Sequence, residues 1–373
     1  MNRLLVITAA PIICKEDTFF AYSPYEKEMQ VWARFADEIQ FCCPIWKEDK
    51  GLLHSEISFK MDKIIPLKEF NIQTIPNALQ SIYFSIINFF ILFRAIKKAD
   101  HVHLRCPGNV TLIAAFVQVF FPKKIKTVKY AGNWDPNAKQ PLSYKLQKLI
   151  LSTPFLSRNI QVLVYGSWKN QSKNIKPFFT ATYRESDKKK IEIRNIEGQI
   201  KFLFVGTLSK GKQPLYVVQL VEELKALHQN VCLELYGDGV LRKDLEDYIV
   251  TKELETFVHL KGNQPKEEVE IAYQQAHFLV LPSKSEGWPK VVAEAMFWGC
   301  LPIVTKVSCV PYMLDNGHRG LLLDENFKKD VQNIQNLLND PVAYQNKANA
   351  ALSWSREFTM DKFENEIKAL IQY

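Results

Sequence analysis

The sequence predicts an α/β protein made of two Rossmann-like lobes facing across an interdomain cleft. Three observations predict it. Short apolar runs alternate with amphipathic helical stretches through the first half of the chain, and the same alternation restarts at Ile200. Between the two sets lies a polar, charged stretch, Thr182–Ile200, which contains Glu185-Ser-Asp-Lys-Lys-Lys190 and lacks apolar periodicity. Strands alternating with helices give parallel sheets covered on both faces. Two such sets joined by a linker give two lobes, with ligands expected at the carboxyl ends of the strands. A length of 373 residues suits two domains, 1–182 and 183 onward.

The elements follow in order. Leu4–Ala9 reads as a short buried strand, Tyr25–Phe35 as an amphipathic helix and Glu38–Cys42 as a strand. Ile82–Phe93 is almost continuously apolar. It is well short of the roughly 20 residues that span a bilayer, so it reads as a buried helix, with an interfacial helix helped by Arg94, Lys97 and Lys98 as the alternative. A strand at Val102–Arg105, a helix near Val110–Phe121 and a strand at Lys126–Tyr130 complete the first set. In the second set, strands are expected at Ile200–Val205, Val231–Tyr236, Val258–Leu260, Phe278–Leu281 and Leu301–Val304. Helices fall between and after them at Leu215–Leu227, Leu241–Val250, Lys266–Gln275 and Lys290–Trp298.

Composition narrows the class. With 47% hydrophobic and 24% charged residues, 14 Gly and 18 Pro, the chain is neither disordered nor low in complexity. Seven Cys, an odd number, sit at no metal-like spacing, and Cys42 and Cys43 are adjacent. The start of the chain runs into a strand rather than a signal-like apolar segment, so reduced thiols and a cytoplasmic location are expected. The net charge of +8 is uneven: residues 1–180 carry 24 Lys+Arg against 13 Asp+Glu, and residues 181–373 carry 24 against 27. The first lobe is therefore expected to meet an anionic partner. Lys123, Lys124, Lys126 and Lys129 cluster without a nucleic-acid-binding module around them. Nucleic acid is thus not expected, and an anionic membrane at the inner face is.

Three motifs carry chemistry. Phe204-Val-Gly-Thr-Leu-Ser-Lys-Gly-Lys-Gln-Pro214 follows a strand, and its glycine turn, lysines and helix start suit a phosphate, although a plain strand-to-helix connection has the same outline. Leu235-Tyr-Gly-Asp-Gly-Val240 allows a sharp turn beside a ligand, with Asp238 either touching it or capping the next helix. The third, Leu281-Pro-Ser-Lys-Ser-Glu-Gly-Trp-Pro-Lys-Val-Val-Ala-Glu-Ala-Met296, sets Glu286 in a loop before a helix and Glu294 about one turn inside it. Carboxylates so placed accept hydrogen bonds from sugar hydroxyls, and the helix start favours an anion between them. No Asp-x-Asp occurs in the chain, so no metal and no cofactor are expected. Arg105, at a strand end in His103-Leu-Arg-Cys-Pro-Gly-Asn109, is a cleft candidate, whereas His103 reads as a strand-packing residue.

Glu286-x7-Glu294 in this setting resembles the donor-site signature of glycosyltransferase family 4, retaining enzymes of the GT-B fold. The resemblance runs through the whole second lobe, including Gly299-x-x-Pro302-Ile-Val and Gly317-x-x-Gly320-Leu-Leu. In the first lobe it extends to architecture only. It implies that 1–182 is an acceptor domain and 183–350 a donor domain, and that 351–373 forms a helix, Trp354–Ile371, crossing back to the first lobe. It implies a nucleotide-diphospho-sugar as co-substrate, held by Gly206, Thr207, Gly237 and Ser283. Glu286 would hold the sugar hydroxyls with the backbone of Gly287 and Trp288, and Glu294 the ribose. Lys212 would neutralise the diphosphate, with Lys210 as the alternative. Two departures stand out: Thr207 occupies the position of a usual Arg, and Tyr130-Ala-Gly-Asn-Trp-Asp-Pro136 lacks the His common near the sugar, leaving Asn133 or Asp135 in its place.

The reaction so implied is transfer of a sugar to an acceptor hydroxyl with retention and without a metal, in bacterial cell-surface polysaccharide synthesis, on a lipid-linked or saccharide acceptor. A nucleotide-sugar epimerase of the same fold would need acid and base groups, and the cleft loops are poor in His. A non-catalytic nucleotide-sugar binding subunit is the other rival, favoured by Thr207 and opposed by the intact Glu286, Glu294 and Lys212.

Overall fold

The computed structural model describes residues 3–16, 18–70, 75–227 and 229–371. Two compact units result, one of residues up to Phe178 with those from Glu364 on, the other Phe179–Phe363.

The first unit contains β1 (Arg3–Thr8), β2 (Ile12–Lys15), β3 (Thr18–Tyr22), α1 (Ser23–Ala33), β4 (Glu38–Cys43), β5 (Ile45–Trp46), β6 (His54–Glu56) and β7 (Lys63–Pro66). It continues with α2 (Ile75–Lys98), β8 (His101–Cys106), α3 (Asn109–Val117), β9 (Ile125–Tyr130), α4 (Leu142–Ser152), β10 (Ile160–Tyr165) and β11 (Ile175–Phe178). Seven strands form a parallel sheet in the order β11-β10-β9-β8-β1-β4-β7. Its central strands are covered on both faces, which is why β1 reads as an unbroken apolar run. A second, four-stranded sheet, β5-β2-β3-β6, was not expected. Its strands are two to five residues long, too short to show a period of two.

The second unit repeats the alternation more regularly. It comprises β12 (Ile200–Val205), α5 (Pro214–Ala226), β13 (Val231–Tyr236), α6 (Arg242–Thr251), β14 (Val258–Gly262), α7 (Lys266–Gln275) and β15 (Phe278–Leu281). Then come α8 (Lys290–Phe297), β16 (Leu301–Thr305), α9 (Val310–Met313), β17 (Leu321–Leu323), α10 (Phe327–Leu338) and α11 (Pro341–Ser355), and last α12 (Met360–Ile371), whose residues from Glu364 on belong to the first unit. All pairings in its sheet, β14-β13-β12-β15-β16-β17, are parallel.

Three expectations are corrected. The apolar helix expected at Ile82–Phe93 runs from Ile75 to Lys98 and is buried on one side only; Gln80 and Ser81 before the apolar run, and Arg94, Lys97 and Lys98 after it, are polar residues that the helix carries at its ends. Trp354 does not begin the last helix but ends α11. The chain turns at Arg356–Phe358, and α12 restarts where the Thr359 hydroxyl accepts from the Lys362 N–H at 3.3 Å. The charged stretch Thr182–Ile200 carries little regular structure but is tied down, since Arg194 donates to the Gly299 carbonyl at 2.8 Å.

Candidate donor site

Glycines bring the strand ends of the second unit together. Gly206 follows β12 and donates its N–H to the Tyr236 carbonyl at 2.9 Å. Gly237 follows β13 with φ +130°, and a Cβ there would lie 2.0 Å from the Gly206 oxygen, so only glycine lets the two turns meet. The loop after β12 is then stapled to the loop after β15. Lys284 N–H donates to the Gly211 carbonyl at 2.9 Å, and the Gln213 side chain donates to the Pro282 carbonyl at 2.5 Å. Gln213 itself sits at φ +53°, immediately before Pro214 opens α5.

The staple brings Lys212 to Glu286. Their Nζ–Oε1 distance is 2.5 Å, with the lysine side chain 30% exposed and the carboxylate 9%. Thr207 and Lys210 are on the surface of the same loop. Ser283 is fully buried; its carbonyl accepts from the Thr305 hydroxyl at 2.5 Å, while its own Oγ has no hydrogen-bond partner. The Gly287 carbonyl accepts from Ser308 Oγ at 3.2 Å and Cys309 Sγ at 3.0 Å, fixing the loop that carries Glu286. The Trp288 ring is 7% exposed and stacks on Trp354 at 6.2 Å, so it anchors the loop from below. Glu294 lies one turn inside α8, where Thr182 Oγ1 donates to Oε1 at 2.6 Å and Tyr273 OH to Oε2 at 3.3 Å. Burial, reinforced by Glu294, holds the Tyr273 phenol pKa well above its ordinary value, so it stays a donor.

Of the two roles expected for Asp238, the cap is excluded: its carboxylate takes the Gly239 N–H at 2.7 Å and faces the Arg242 guanidinium at 3.3 Å. Two groups escaped the sequence reading. Thr182 looked like linker and Tyr273 like ordinary helix, and both grip Glu294.

In the first unit, Arg105 lies at the carboxyl end of β8 beside a hollow of about 210 Å3 lined also by Thr8, Ala10, Pro107 and Gly132. Its guanidinium donates to Glu28 at 3.0 Å and stacks over Tyr25 at 4.4 Å. Lys129, itself 1% exposed, approaches the other Glu28 oxygen at 3.5 Å. Burial alone would push Glu28 up; Lys129 and Arg105 outweigh it and hold its pKa at about 2. Glu28, an acid on an amphipathic helix, gave no sequence signal of this role. His103 is buried, bonded to Thr127 Oγ1 at 2.9 Å and packed on Trp32. Asn133 and Asp135 are spent on local turns, their side-chain oxygens accepting from the N–H groups of Asp135 and Asn137, each at 2.8 Å. Among the described residues, no group of three His, Cys, Asp or Glu is placed to hold a metal.

The crystal structure of Anabaena Alr3699/HepE, in complex with UDP, superposes over 100% of both chains with a TM-score of 0.69 at 12% identity. The fold is GT-B. Residues 185–354, within the second GT-B domain, match the family model of the glycosyl transferases group 1. An uncharacterized glycosyltransferase of Methanocaldococcus jannaschii, MJ1178, is 30% identical over 197 residues, 52% of this chain and 54% of that protein. A Campylobacter jejuni alpha-1,4-N-acetyl-D-galactosaminyltransferase that acts on a diNAcBac-PP-undecaprenol-linked glycan is 30% identical over 154 residues, 35% of this chain and 41% of that protein. The chain spans about half the length of the curated relatives it matches.

Proposed function

We propose that this chain is a glycosyltransferase of family 4 type, moving a sugar from a nucleotide-diphospho-sugar to an acceptor hydroxyl with retention of anomeric configuration. One observation carries the reading: Lys212 and Glu286, from loops after two neighbouring strands, meet at 2.5 Å with Glu294 one turn into the adjoining helix. In the proposed reaction the bond from the anomeric carbon to the diphosphate oxygen breaks as the acceptor oxygen attacks from the same face. The departing oxygen takes the acceptor proton, so no separate general base is required. Lys212 stabilises the charge that develops on the diphosphate. Glu286 accepts hydrogen bonds from the sugar hydroxyls, and Glu294 from the ribose. No metal is assigned a role, and chelators are expected to leave the rate unchanged.

The acceptor is proposed to be a lipid-linked or saccharide hydroxyl in bacterial cell-surface polysaccharide synthesis, at the cytoplasmic face of the membrane; the undecaprenol-linked substrate named for the Campylobacter relative supports this class. The test is mass-spectrometric analysis of products from UDP-, GDP- and ADP-sugars with purified protein. A glycoside is expected, falling at least about a hundredfold in rate for Glu286→Gln. An epimerised nucleotide sugar, no product from any donor, or full transfer by Glu286→Gln would overturn the reading.

A further inference from the structure

The basic excess of the first half is more concentrated than the halves suggest. Residues 70–180 hold 15 Lys+Arg against two acids, Asp100 and Asp135. This segment supplies α2, α3 and α4, which pack side by side over one face of the seven-stranded sheet.

Their outer surface is apolar. On α2, Leu79, Ile82, Tyr83, Ile86 and Phe90 are each more than half exposed, and their spacing puts them on one stripe. The same stripe ends in the exposed Arg94 and Lys97. Phe116 on α3 and Phe120, in the 3-10 turn Gln118–Phe120 that follows it, stand exposed, with Phe120 in ring contact with Phe89 and Phe93 of α2. Leu142, Leu146 and Leu149 extend the surface across α4, at helical spacing. Beyond the ends of α3 and α4 lies a hollow of about 930 Å3 at the amino ends of β9, β10 and β11, lined by Lys123, Lys126, Arg158, Lys173 and Lys176 and by no acidic residue. Exposed apolar stripes bordered by cations of a single sign match the two layers of a bilayer interface, acyl chains beneath anionic headgroups.

We propose that the outer face of α2, α3 and α4 docks in the plane of an anionic phospholipid bilayer, with the basic hollow beside it receiving headgroup phosphates. Leu79–Lys98 is long and apolar enough to cross a membrane, with mean hydropathy 1.6. It is nonetheless built into the fold. The Asn88 side chain accepts from the Lys68 N–H at 2.9 Å and donates to the Lys68 carbonyl at 2.8 Å, while Leu92 and Ile96 are fully buried. A spanning orientation would break those contacts, whereas an in-plane one keeps them and covers the exposed stripe. The proposal does not depend on sugar transfer.

The experiment is flotation of the purified full-length chain with vesicles of phosphatidylcholine alone or with phosphatidylglycerol added, without any sugar donor, at low and high salt. Binding is expected only to the anionic vesicles, weakening about tenfold or more as salt screens the cations. Lys123→Glu/Arg158→Glu/Lys173→Glu is expected to bind about a hundredfold more weakly, and Ile86→Ser/Phe90→Ser to lose binding at low salt too. Both variants alter exposed or half-exposed groups, and unchanged circular dichroism and melting check the fold. Equal binding to neutral vesicles, salt-independent binding, or wild-type binding by either variant overturns the proposal. So does a dimer that Ile86→Ser/Phe90→Ser dissolves while vesicles go unbound, which would make the face a contact between copies.

Discussion

Glu286 and Lys212 share one ion pair but not one environment. The carboxylate is 9% exposed and the ammonium 30%, so the two are not equivalent to remove. Lys212→Ala leaves a buried anion without its partner, whereas Glu286→Gln leaves a cation that water can reach. Lys212→Ala is therefore expected to lower Tm more than Glu286→Gln, and the double variant to recover part of the loss; equal shifts for the two single variants would contradict this. A second residue-scale prediction concerns His101 and His103, both bonded to Thr127 Oγ1. Burial depresses their pKa values from 6.5 to about 4 and about 3. Well above pH 6.5 neither state is protonated and stability is full. As pH falls below that, the unfolded chain binds protons that the folded one refuses, and stability declines toward the folded values. At pH 5 the loss is about 2 kcal/mol per histidine. Thermal melts between pH 7 and 5 should show it, more shallowly in a His101→Gln/His103→Gln variant.

At the scale of elements, the turns after β12 and β13 are the tightest construction in the second unit. Gly237→Ala would place a methyl 2.0 Å from the Gly206 oxygen at a strained φ, and a loss of about 2 kcal/mol or more is expected in denaturant unfolding. Gly211→Ala, with no atom within 4 Å of its Cβ position, is the matched control and should be near neutral. These turns were legible in the sequence because glycine after an apolar run has few other uses. The strands Ile200–Val205, Val231–Tyr236 and Phe278–Leu281 were legible to the residue, since strands buried on both faces are short, apolar and bounded by polar turns. The small mixed sheet and the full length of α2 were not. Two-residue strands carry no period, and polar residues flanking an apolar run, such as Gln80 and Ser81 before it and Arg94, Lys97 and Lys98 after it, mimic helix ends. Loop lysines and glutamates could be named individually, but the staple that makes Lys212 and Glu286 neighbours depends on Gln213 and Lys284, and no spacing announces a contact across 74 residues.

At the scale of the whole molecule, net charge said less than its distribution. The basic excess belongs to residues 70–180, while residues 181–373 are slightly acidic, so the proposed donor site would draw on a local lysine and turn geometry. Nucleotide-sugar binding should therefore be far less sensitive to salt than vesicle binding, and titrating both against ionic strength checks the separation. On the proposed reading, a matching nucleotide sugar at about 100 times its dissociation constant stabilises the protein by about 2.7 kcal/mol, measurable as a thermal shift.

On the proposed reading, the Lys212–Glu286 contact also bears on selectivity. A site whose cation is already neutralised offers little to a stray phosphate, because taking the lysine strands a carboxylate that only 9% of its surface connects to water. A ligand that brings both a diphosphate and hydroxyl donors repays both ends of the exchange in one event. The pair would then act as a coincidence detector, admitting the intact nucleotide sugar and releasing its hold once sugar and nucleotide have parted.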